Sequence, residues 1–289
     1  MQDVGKFSSP ADTSVIDPAG LTGIWLNSES VPRGVARVVI ELHSGRLRIW
    51  ALAADDQSSD GWGWADSDAL YAASPSGGAA AAFTATYQLD SMPVVLHANV
   101  SKGLLIVSSF QTRYSAGKAD RRFAREFFHK ASSSTNRPSP PTGDRCAART
   151  APATASASAF VGTWRNTNSE SSGIASVSFA TTPAGATMRI LGMEAGGLRD
   201  WGTTPVDIYV ESGVSNEPAR LKASYDLGFQ NVLLHGWVKQ GILVFALFRR
   251  FTDSSVRSNY FDREFFYRAD ESPRQIGEAH GLCRPSTPY

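Results

Sequence analysis

Two histidines stand at corresponding places in two similar stretches, PVVLHANV and NVLLHGWV, and are the first candidates for acid–base chemistry. They are His97 and His235. An imidazole titrates near neutral pH and can take a proton from a substrate within hydrogen-bond reach. Each follows a leucine, Leu96 or Leu234, so alternation along a strand leaves two orientations. With the leucines inward, the histidines face outward, for instance into an interface between domains; in the reverse case both line a cavity.

Aspartate and tryptophan occur together twice, each time just before a predicted strand. The pairs are Asp60 with Trp62 and Asp200 with Trp201. Loops commonly carry binding groups, an indole can stack on a sugar or a planar ligand, and a carboxylate can hold a hydroxyl or an amine. In an enzyme, Asp200 or His235 would be the acid or base. The alternative is structural: the indole closes one end of a domain and the aspartate caps a turn.

Alternation of apolar and polar residues predicts strands and places one tyrosine of each half on a buried face. In AAFTATYQLD, Phe83, Ala85 and Tyr87 face one way, with polar residues between them. Tyr225 takes the same place in RLKASYDL. A buried phenol needs a hydrogen-bond partner. Each tyrosine therefore either bonds within the core or presents its hydroxyl to a bound ligand.

Charge and motif content disfavour several classes of function. With Lys+Arg 28 and Asp+Glu 27, the formal net charge is +1, which gives no electrostatic footprint for nucleic acid or an anionic membrane. The chain has no GxSxG, HExxH, phosphate-binding or acidic calcium loop. Its two cysteines, Cys146 and Cys283, are too few for a metal site, and whether they pair is open. We therefore expect no metal and no cofactor.

An internal repeat is the strongest pattern in the sequence. REFFHKA closes one stretch and REFFYRA closes another. A shift of 139 residues brings GIWLN at 23–27 onto GTWRN at 162–166, and Trp62 onto Trp201. A shift of 138 residues then aligns the histidine and REFF segments. Because the matches keep their order and spacing, the two halves are predicted to be copies of one fold.

Each copy contains eight predicted strands, separated by hairpin signals such as HSG and Lys102-Gly103. An open sheet of these strands would leave two unpaired edges, which closure into an up-and-down barrel removes. An eight-stranded barrel holds packed side chains or one small ligand. The sequence thus predicts an all-β chain of two tandem eight-stranded antiparallel up-and-down β-barrels, joined by a linker rich in Ser, Pro and Ala.

The expected organisation has five parts. They are an N-terminal extension (1–20), a first β-barrel (21–131), a linker (132–159), a second β-barrel (160–269) and a C-terminal tail (270–289). The linker composition cannot build a core, so the barrels can reorient unless they dock on each other. No stretch reaches the roughly 18 apolar residues of a membrane span, and the start has no secretory signal. These features predict a soluble protein, cytoplasmic, or secreted if a signal was removed.

A Gly-x-Trp on the first strand of each copy, with an arginine on the last strand, resembles the signature of the calycin barrels, the lipocalins and avidins. The matching residues are Gly23, Trp25 and Arg125 in the first copy and Gly162, Trp164 and Arg263 in the second. The resemblance implies a lipocalin-like barrel in which the arginine covers the indole. Glu126 and Glu264 would then point outside, whereas the reverse orientation would bury carboxylates with a raised pKa.

These features favour binding of small, hydrophobic or aromatic molecules in the barrel cavities. The expected contacts are Trp62, Trp201, Tyr87, Tyr225, His97 and Asp60. A second hypothesis is a cofactor-independent cyclase or isomerase of specialised metabolism, which confines a reactive substrate beside His235 or Asp200. A third is a structural or interaction protein whose barrels are filled solid. A cavity with His or Asp would favour the enzyme, and a packed interior the interaction protein.

Overall fold

The computed structural model describes residues 16–30, 32, 34–54, 61–89, 92–115, 118–131, 156–194, 196–211 and 220–269. These residues contain 17 β-strands in a mixed sheet, and no helix long and apolar enough to cross a membrane. The all-β prediction is confirmed. The strands are β1 (Ile16–Asp17), β2 (Gly23–Asn27), β3 (Val35–His43), β4 (Arg46–Ala53), β5 (Trp64–Ala72), β6 (Gly78–Leu89), β7 (Met92–Ser101), β8 (Leu104–Ser115), β9 (Lys118–Lys130), β10 (Gly162–Asn166), β11 (Ile174–Thr182), β12 (Gly185–Glu194), β13 (Gly197–Glu211), β14 (Arg220–Asp226), β15 (Gln230–Lys239), β16 (Ile242–Phe251) and β17 (Tyr260–Arg268).

The fold divides into two compact units. The first contains Met1–Ala151, Gly228–Val232 and Phe248–Asp262, and the second contains Pro152–Leu227, Leu233–Leu247 and Arg263–Tyr289. Short segments from the second half of the sequence therefore belong to the first unit. The domain boundaries drawn from the sequence stay predictions. Several residues of the sequence analysis lie outside the described ranges, namely Asp60, Cys146, Cys283, 1–15, 132–155 and 270–289.

In the first unit, strands β2 to β9 pair in sequence order, each antiparallel to the next. β9 also pairs with β2, where Lys130 lies opposite Trp25, so the pairing returns to its first strand. Two parallel pairs depart from the antiparallel prediction: β1 lies beside β6, and Tyr260 of β17 lies opposite Ala72 of β5. The sheet is mixed because these two segments, outside the series of hairpins, join it.

In the second unit, β10 to β14 form a similar antiparallel series. β10 pairs on its other side with β17, where Arg268 lies opposite Trp164. Strand β12 pairs with β11 and with β13 over nearly its full length, and a β-bulge interrupts the β13 pairing beside Leu191. The first and last strands of the repeat therefore meet in this unit as they do in the first.

Core packing follows the period of two read from the sequence. In β6, Phe83, Ala85 and Tyr87 are buried in the core cluster of the first unit. Leu96 belongs to the same cluster, so the leucine of PVVLHANV faces inward. Burying large apolar side chains on one face of a sheet is the main stabilising contribution of such a core.

Candidate functional site

Trp62 and Tyr87, two of the predicted ligand contacts, lie together in the first unit. The backbone N–H of Trp62 donates to the Ala51 carbonyl oxygen at 2.8 Å, which fixes the chain just before β5. The ring centroids of Trp62 and Tyr87 are 5.3 Å apart at an interplanar angle of 69°, an edge-to-face contact. The Tyr87 hydroxyl donates to the Ile49 carbonyl oxygen at 2.7 Å. Trp62 is only partly buried against the core, so its indole remains accessible to solvent.

The second unit contains the same arrangement. The rings of Trp201 and Tyr225 are 5.6 Å apart at 68°, and the Tyr225 hydroxyl donates to the Met188 carbonyl oxygen at 2.7 Å. Gly192 lies so close to the indole that a Cβ at that position would collide with Nε1 of Trp201. The structure therefore brings together two of the predicted contacts in each unit.

Burial keeps both phenols protonated. It raises the pKa of Tyr87 well above its usual value. Burial first, and then the negative charge of Asp200, raise the pKa of Tyr225 in the same way. Because each hydroxyl also donates to a backbone carbonyl oxygen, the phenols fix ring orientation and are not poised to exchange protons.

Three of the four side chains in the core layer next to Tyr87 are small. Ala85, Leu96, Ser109 and Ala124 lie opposite one another on β6 to β9. Ser109 is 1% exposed, and its Oγ has no hydrogen-bond partner among the described residues. A buried hydroxyl without a partner is costly, and native structures contain few of them. This layer therefore combines small side chains with an unmet buried polar group, as a binding site does.

Larger side chains occupy the corresponding core of the second unit. Leu247 stands where the repeat places Ser109, and Phe245 stands where it places Val107. Both second-unit side chains are fully buried, and the Phe245 ring packs 5.2 Å from that of Phe266. The units therefore share the Trp–Tyr pair but differ in what lies behind it, a difference already visible in the aligned residues.

Glu126 is buried, so the outward orientation expected from the calycin resemblance is wrong. It faces inward at 3% exposure instead of pointing outside. Its carboxylate accepts hydrogen bonds from the Gly34 N–H at 2.9 Å, the Val35 N–H at 2.6 Å and Nδ2 of Asn27 at 3.2 Å. A buried carboxylate is stable when such donors replace its lost water.

Glu264 has the same surroundings in the second unit. It is 8% exposed and accepts from Nδ2 of Asn166 at 2.7 Å and from the Ile174 N–H at 3.0 Å. The repeated asparagine of GIWLN and GTWRN thus bonds to the repeated glutamate of REFF in both units. These motif residues join the first strand to the last and are structural.

The cation above each buried indole follows the same register. Nζ of Lys130 lies 5.4 Å from the Trp25 ring centroid, and Cζ of Arg268 lies 4.5 Å from the Trp164 ring centroid. Each cation is directly opposite its tryptophan on the neighbouring strand. The glycine of Gly-x-Trp leaves room for it: Gly23 has φ +124°, and a Cβ there would lie 2.9 Å from Cε of Lys130.

Arg125 and Arg263 therefore do not cover the indoles, contrary to the expectation from the calycin resemblance. They lie an odd number of positions before the covering cations, so their side chains point to the other face of the strand. Cζ of Arg125 lies 5.5 Å from the ring centroid of Phe127. Burial lowers the pKa of Arg263.

His97 faces away from the core, which settles its two possible orientations, and it is nonetheless 1% exposed. Its ring lies 5.0 Å from Phe110 and 5.0 Å from Phe248, within the first unit. Phe248 in turn contacts Tyr71 at 5.2 Å. His97 therefore belongs to an aromatic cluster on the opposite face of β7 from the Trp–Tyr pair.

The two acid–base candidates have separate surroundings. His235 is 7% exposed and packs 5.9 Å from the ring of Trp237. Asp200 is exposed and bonds through Oδ2 to Nε of Arg189 at 3.1 Å and to its Nη2 at 2.5 Å. This hydrogen bond first, and then the Gly202 N–H, lower the pKa of Asp200. Asp200 is thus held ionised, which suits an ion pair better than a general acid.

Metal ligands are not grouped in the part of the chain that the structure describes. No three His, Cys, Asp or Glu side chains of these residues lie close enough to hold a metal ion. That the protein works without a metal or cofactor stays a prediction.

A solved structure resembles this chain at low identity. It is the crystal structure of a protein of unknown function from the DUF3598 family of Nostoc punctiforme PCC 73102, with 12% sequence identity, coverage of 91% of this chain and 100% of that chain, and a TM-score of 0.34. No protein-family model and no curated protein match the chain.

Proposed function

We propose that the chain binds small, largely apolar molecules in the core of a calycin-like β-barrel formed by its first half. Closure is supported by the antiparallel pairing of β2 to β9 in order and of β9 with β2. The pairing of β10 with both β11 and β17 supports a second barrel in tandem. In this proposal Lys130 and Arg268 take the indole-covering place of the calycin signature.

The small-residue layer next to the Trp62–Tyr87 pair is the observation that carries the proposal. Ala85, Ser109 and Ala124 contribute little side-chain volume to a position where eight-stranded barrels hold a ligand. Trp62 is the partly buried member of the pair, so it can move aside at a smaller cost than a core residue. An apolar wall with one or two polar groups is the usual lining of a small-molecule site.

For the second half we propose a structural role, as a barrel filled by its own side chains. Phe245 and Leu247 are fully buried in its core. Gly236 leaves no spare volume, since a Cβ there would lie 2.6 Å from the Phe245 ring. In this half the indole of Trp201 closes an end of a packed core instead of a ligand site.

Native mass spectrometry of the freshly purified full chain tests this function. We expect a co-purified small molecule in the wild type and in Trp201→Ala. In Trp62→Ala the occupancy should fall at least about fivefold, because a central aromatic contact is lost. Trp201→Ala is the matched control, since it removes the corresponding indole from the second half. Equal loss in both variants, or a wild-type chain that carries no small molecule, would contradict the proposal.

A further inference from the structure

We propose that Ser109 determines the specificity of the first-half site, and that its ligands are neutral, largely apolar molecules carrying one carbonyl or hydroxyl oxygen. This inference rests on the proposed function and names the chemical class that the site selects. Three observations support it: Ser109 has an unmet hydrogen bond, Tyr87 and Glu126 already have hydrogen-bond partners, and the Glu126 carboxylate lies nearby.

Ser109 presents a polar atom to an apolar layer. It lies on the same side of β8 as the core residues Leu105 and Val107, at 1% exposure. The residues directly opposite it are Leu96 on β7 and Ala124 on β9, neither of which has a polar side-chain atom. With no partner for its Oγ among the described residues, the hydroxyl can both donate to a ligand oxygen and accept from one.

Two other polar groups near this layer, Tyr87 and Glu126, already have partners. The Tyr87 hydroxyl donates to the Ile49 carbonyl oxygen at 2.7 Å. In Glu126, Oε1 accepts from the Gly34 N–H and Oε2 accepts from the Val35 N–H. A ligand oxygen would break these hydrogen bonds if it competed for them, whereas bonding to Ser109 removes an existing penalty. A ligand oxygen therefore gains more by meeting Ser109 than by competing for Tyr87 or Glu126.

The Glu126 carboxylate favours a neutral ligand over an anion. Glu126 lies opposite Val107 and Ser109 lies opposite Ala124, so Glu126 and Ser109 are diagonal neighbours on the core face of β8 and β9. Such neighbours are separated by about 7–8 Å between Cα atoms. Two carboxylates this close in a buried site either repel each other or must share a proton, and both outcomes cost binding free energy. A carboxylate ligand should therefore be disfavoured.

The second half supplies a natural control for this assignment. Leu247 stands at the place of Ser109 and is fully buried, so a leucine is compatible with the packing of one half at this position. The exchange removes the hydroxyl and fills the space beside it. Among the residues that the structure describes, the small layer with an unmet hydroxyl lies in the first half.

Titration of the full chain with three probes of similar shape tests the inference. Acetophenone carries a neutral carbonyl, ethylbenzene carries no polar atom, and benzoate carries a charge. By ligand-observed NMR or calorimetry, the wild type should bind acetophenone about 3- to 10-fold more tightly than ethylbenzene, the factor expected of one net hydrogen bond. Benzoate should bind most weakly.

Variants at two neighbouring serines assign the effect. Ser109→Ala should bind acetophenone and ethylbenzene equally, with the ethylbenzene affinity unchanged, and Ser109→Leu should bind none of the probes. Ser108→Ala is the matched control, because Ser108 is also buried but faces away from the core. It should keep the wild-type preference. Thermal denaturation checks that each variant is folded. If Ser109→Leu does not fold, the result for Ser109→Ala alone tests the role of Ser109.

Two results separate failure of this inference from failure of the proposed function. If acetophenone and ethylbenzene bind the wild type but their ratio is unchanged in Ser109→Ala, the assignment to Ser109 is overturned and the binding function stands. If neither binds the wild type, the first half has no apolar site and both proposals fall.

Discussion

The two halves of the chain share their hydrogen-bonded anchors and differ in the side chains that fill their cores. In the first half, Nε1 of Trp25 donates to the Leu21 carbonyl oxygen at 2.8 Å. In the second, Nε1 of Trp164 donates to the Phe160 carbonyl oxygen at 2.7 Å. The tyrosine and glutamate contacts recur in the same way. The recurring contacts all join side chains to the backbone or to a neighbouring strand, so they specify strand positions and tolerate little exchange.

The two cores divide side-chain volume differently between facing positions. Ala98 lies opposite Val107 in the first half, and Gly236 and Phe245 stand at the corresponding positions in the second. A smaller residue on one strand thus accompanies a larger one on the next, as expected of cores that keep their total volume. The same anchors are therefore compatible with a core filled by large side chains and with a core that contains a small-residue layer.

Removal of the buried indoles should have the largest effect. Trp164→Ala should lower the free energy of unfolding by about 3–5 kcal/mol, as large aromatic deletions in cores do, and Trp25→Ala should cost a similar amount. Both indoles are buried and hydrogen-bonded. Denaturant unfolding measures the loss. Near-wild-type stability in either variant would show that the anchor is not shared.

Replacement of the buried glutamates comes next. Glu264→Gln should cost about 1–3 kcal/mol, because an amide NH₂ then faces N–H donors that had a carboxylate acceptor. Glu126→Gln should behave alike. The exposed Glu170→Gln provides a control that should leave the melting temperature unchanged. An equal melting temperature for Glu264→Gln and Glu170→Gln would argue against the shared glutamate contact.

Exchange of the facing core residues sharpens the difference between the halves. Gly236→Ala should destabilise the chain by about 1–3 kcal/mol, because its Cβ would overlap the Phe245 ring. The double variant Gly236→Ala/Phe245→Val, which copies the first-half pair, should recover part of this loss. A double-mutant cycle gives the coupling. Strictly additive effects would mean that the two positions do not share their volume.

The Arg189–Asp200 ion pair should give the smallest effect, and one confined to the second half. Arg189 lowers the pKa of Asp200. The ion pair therefore stabilises the folded chain at pH values above 3.8, the ordinary pKa of aspartate, and this stabilisation is lost as the pH falls through the lowered pKa. Asp200→Asn should remove this acid-side loss in a melting-temperature profile. The effect should be small because the pair is exposed. At the corresponding place the first half has Gly61 against Trp50. Superimposable profiles for wild type and Asp200→Asn would contradict this assignment.

Local alternation was sufficient to predict the strands and their core faces. Phe83, Ala85 and Tyr87 are buried as the period of two predicts, because a strand sets the direction of each side chain through its own backbone. The parallel pairs could not be predicted in this way. They join Ile16–Asp17 to β6 and Tyr260 to Ala72, segments whose meeting depends on the path of the whole chain.

The site depended on register between strands that are distant in sequence. Alternation shows that Arg125 and Glu126 face opposite ways, but the choice between them follows from the pairing of Trp25 with Lys130. The contact between Trp62 and Tyr87 has the same origin. Ser109 had a signal in the sequence, its alignment with Leu247, but a serine on an apolar face gains meaning only when its neighbours are known.

A crystal structure of the full chain soaked with acetophenone would locate the bound ligand. We expect one molecule in the core of the first half, between the Trp62–Tyr87 pair and β8, with its carbonyl oxygen about 3 Å from Oγ of Ser109. We expect none in the core of the second half, where Phe245 is packed. A ligand bound in the second half, or a first-half core closed by side chains with no ligand at saturating concentration, would contradict this expectation.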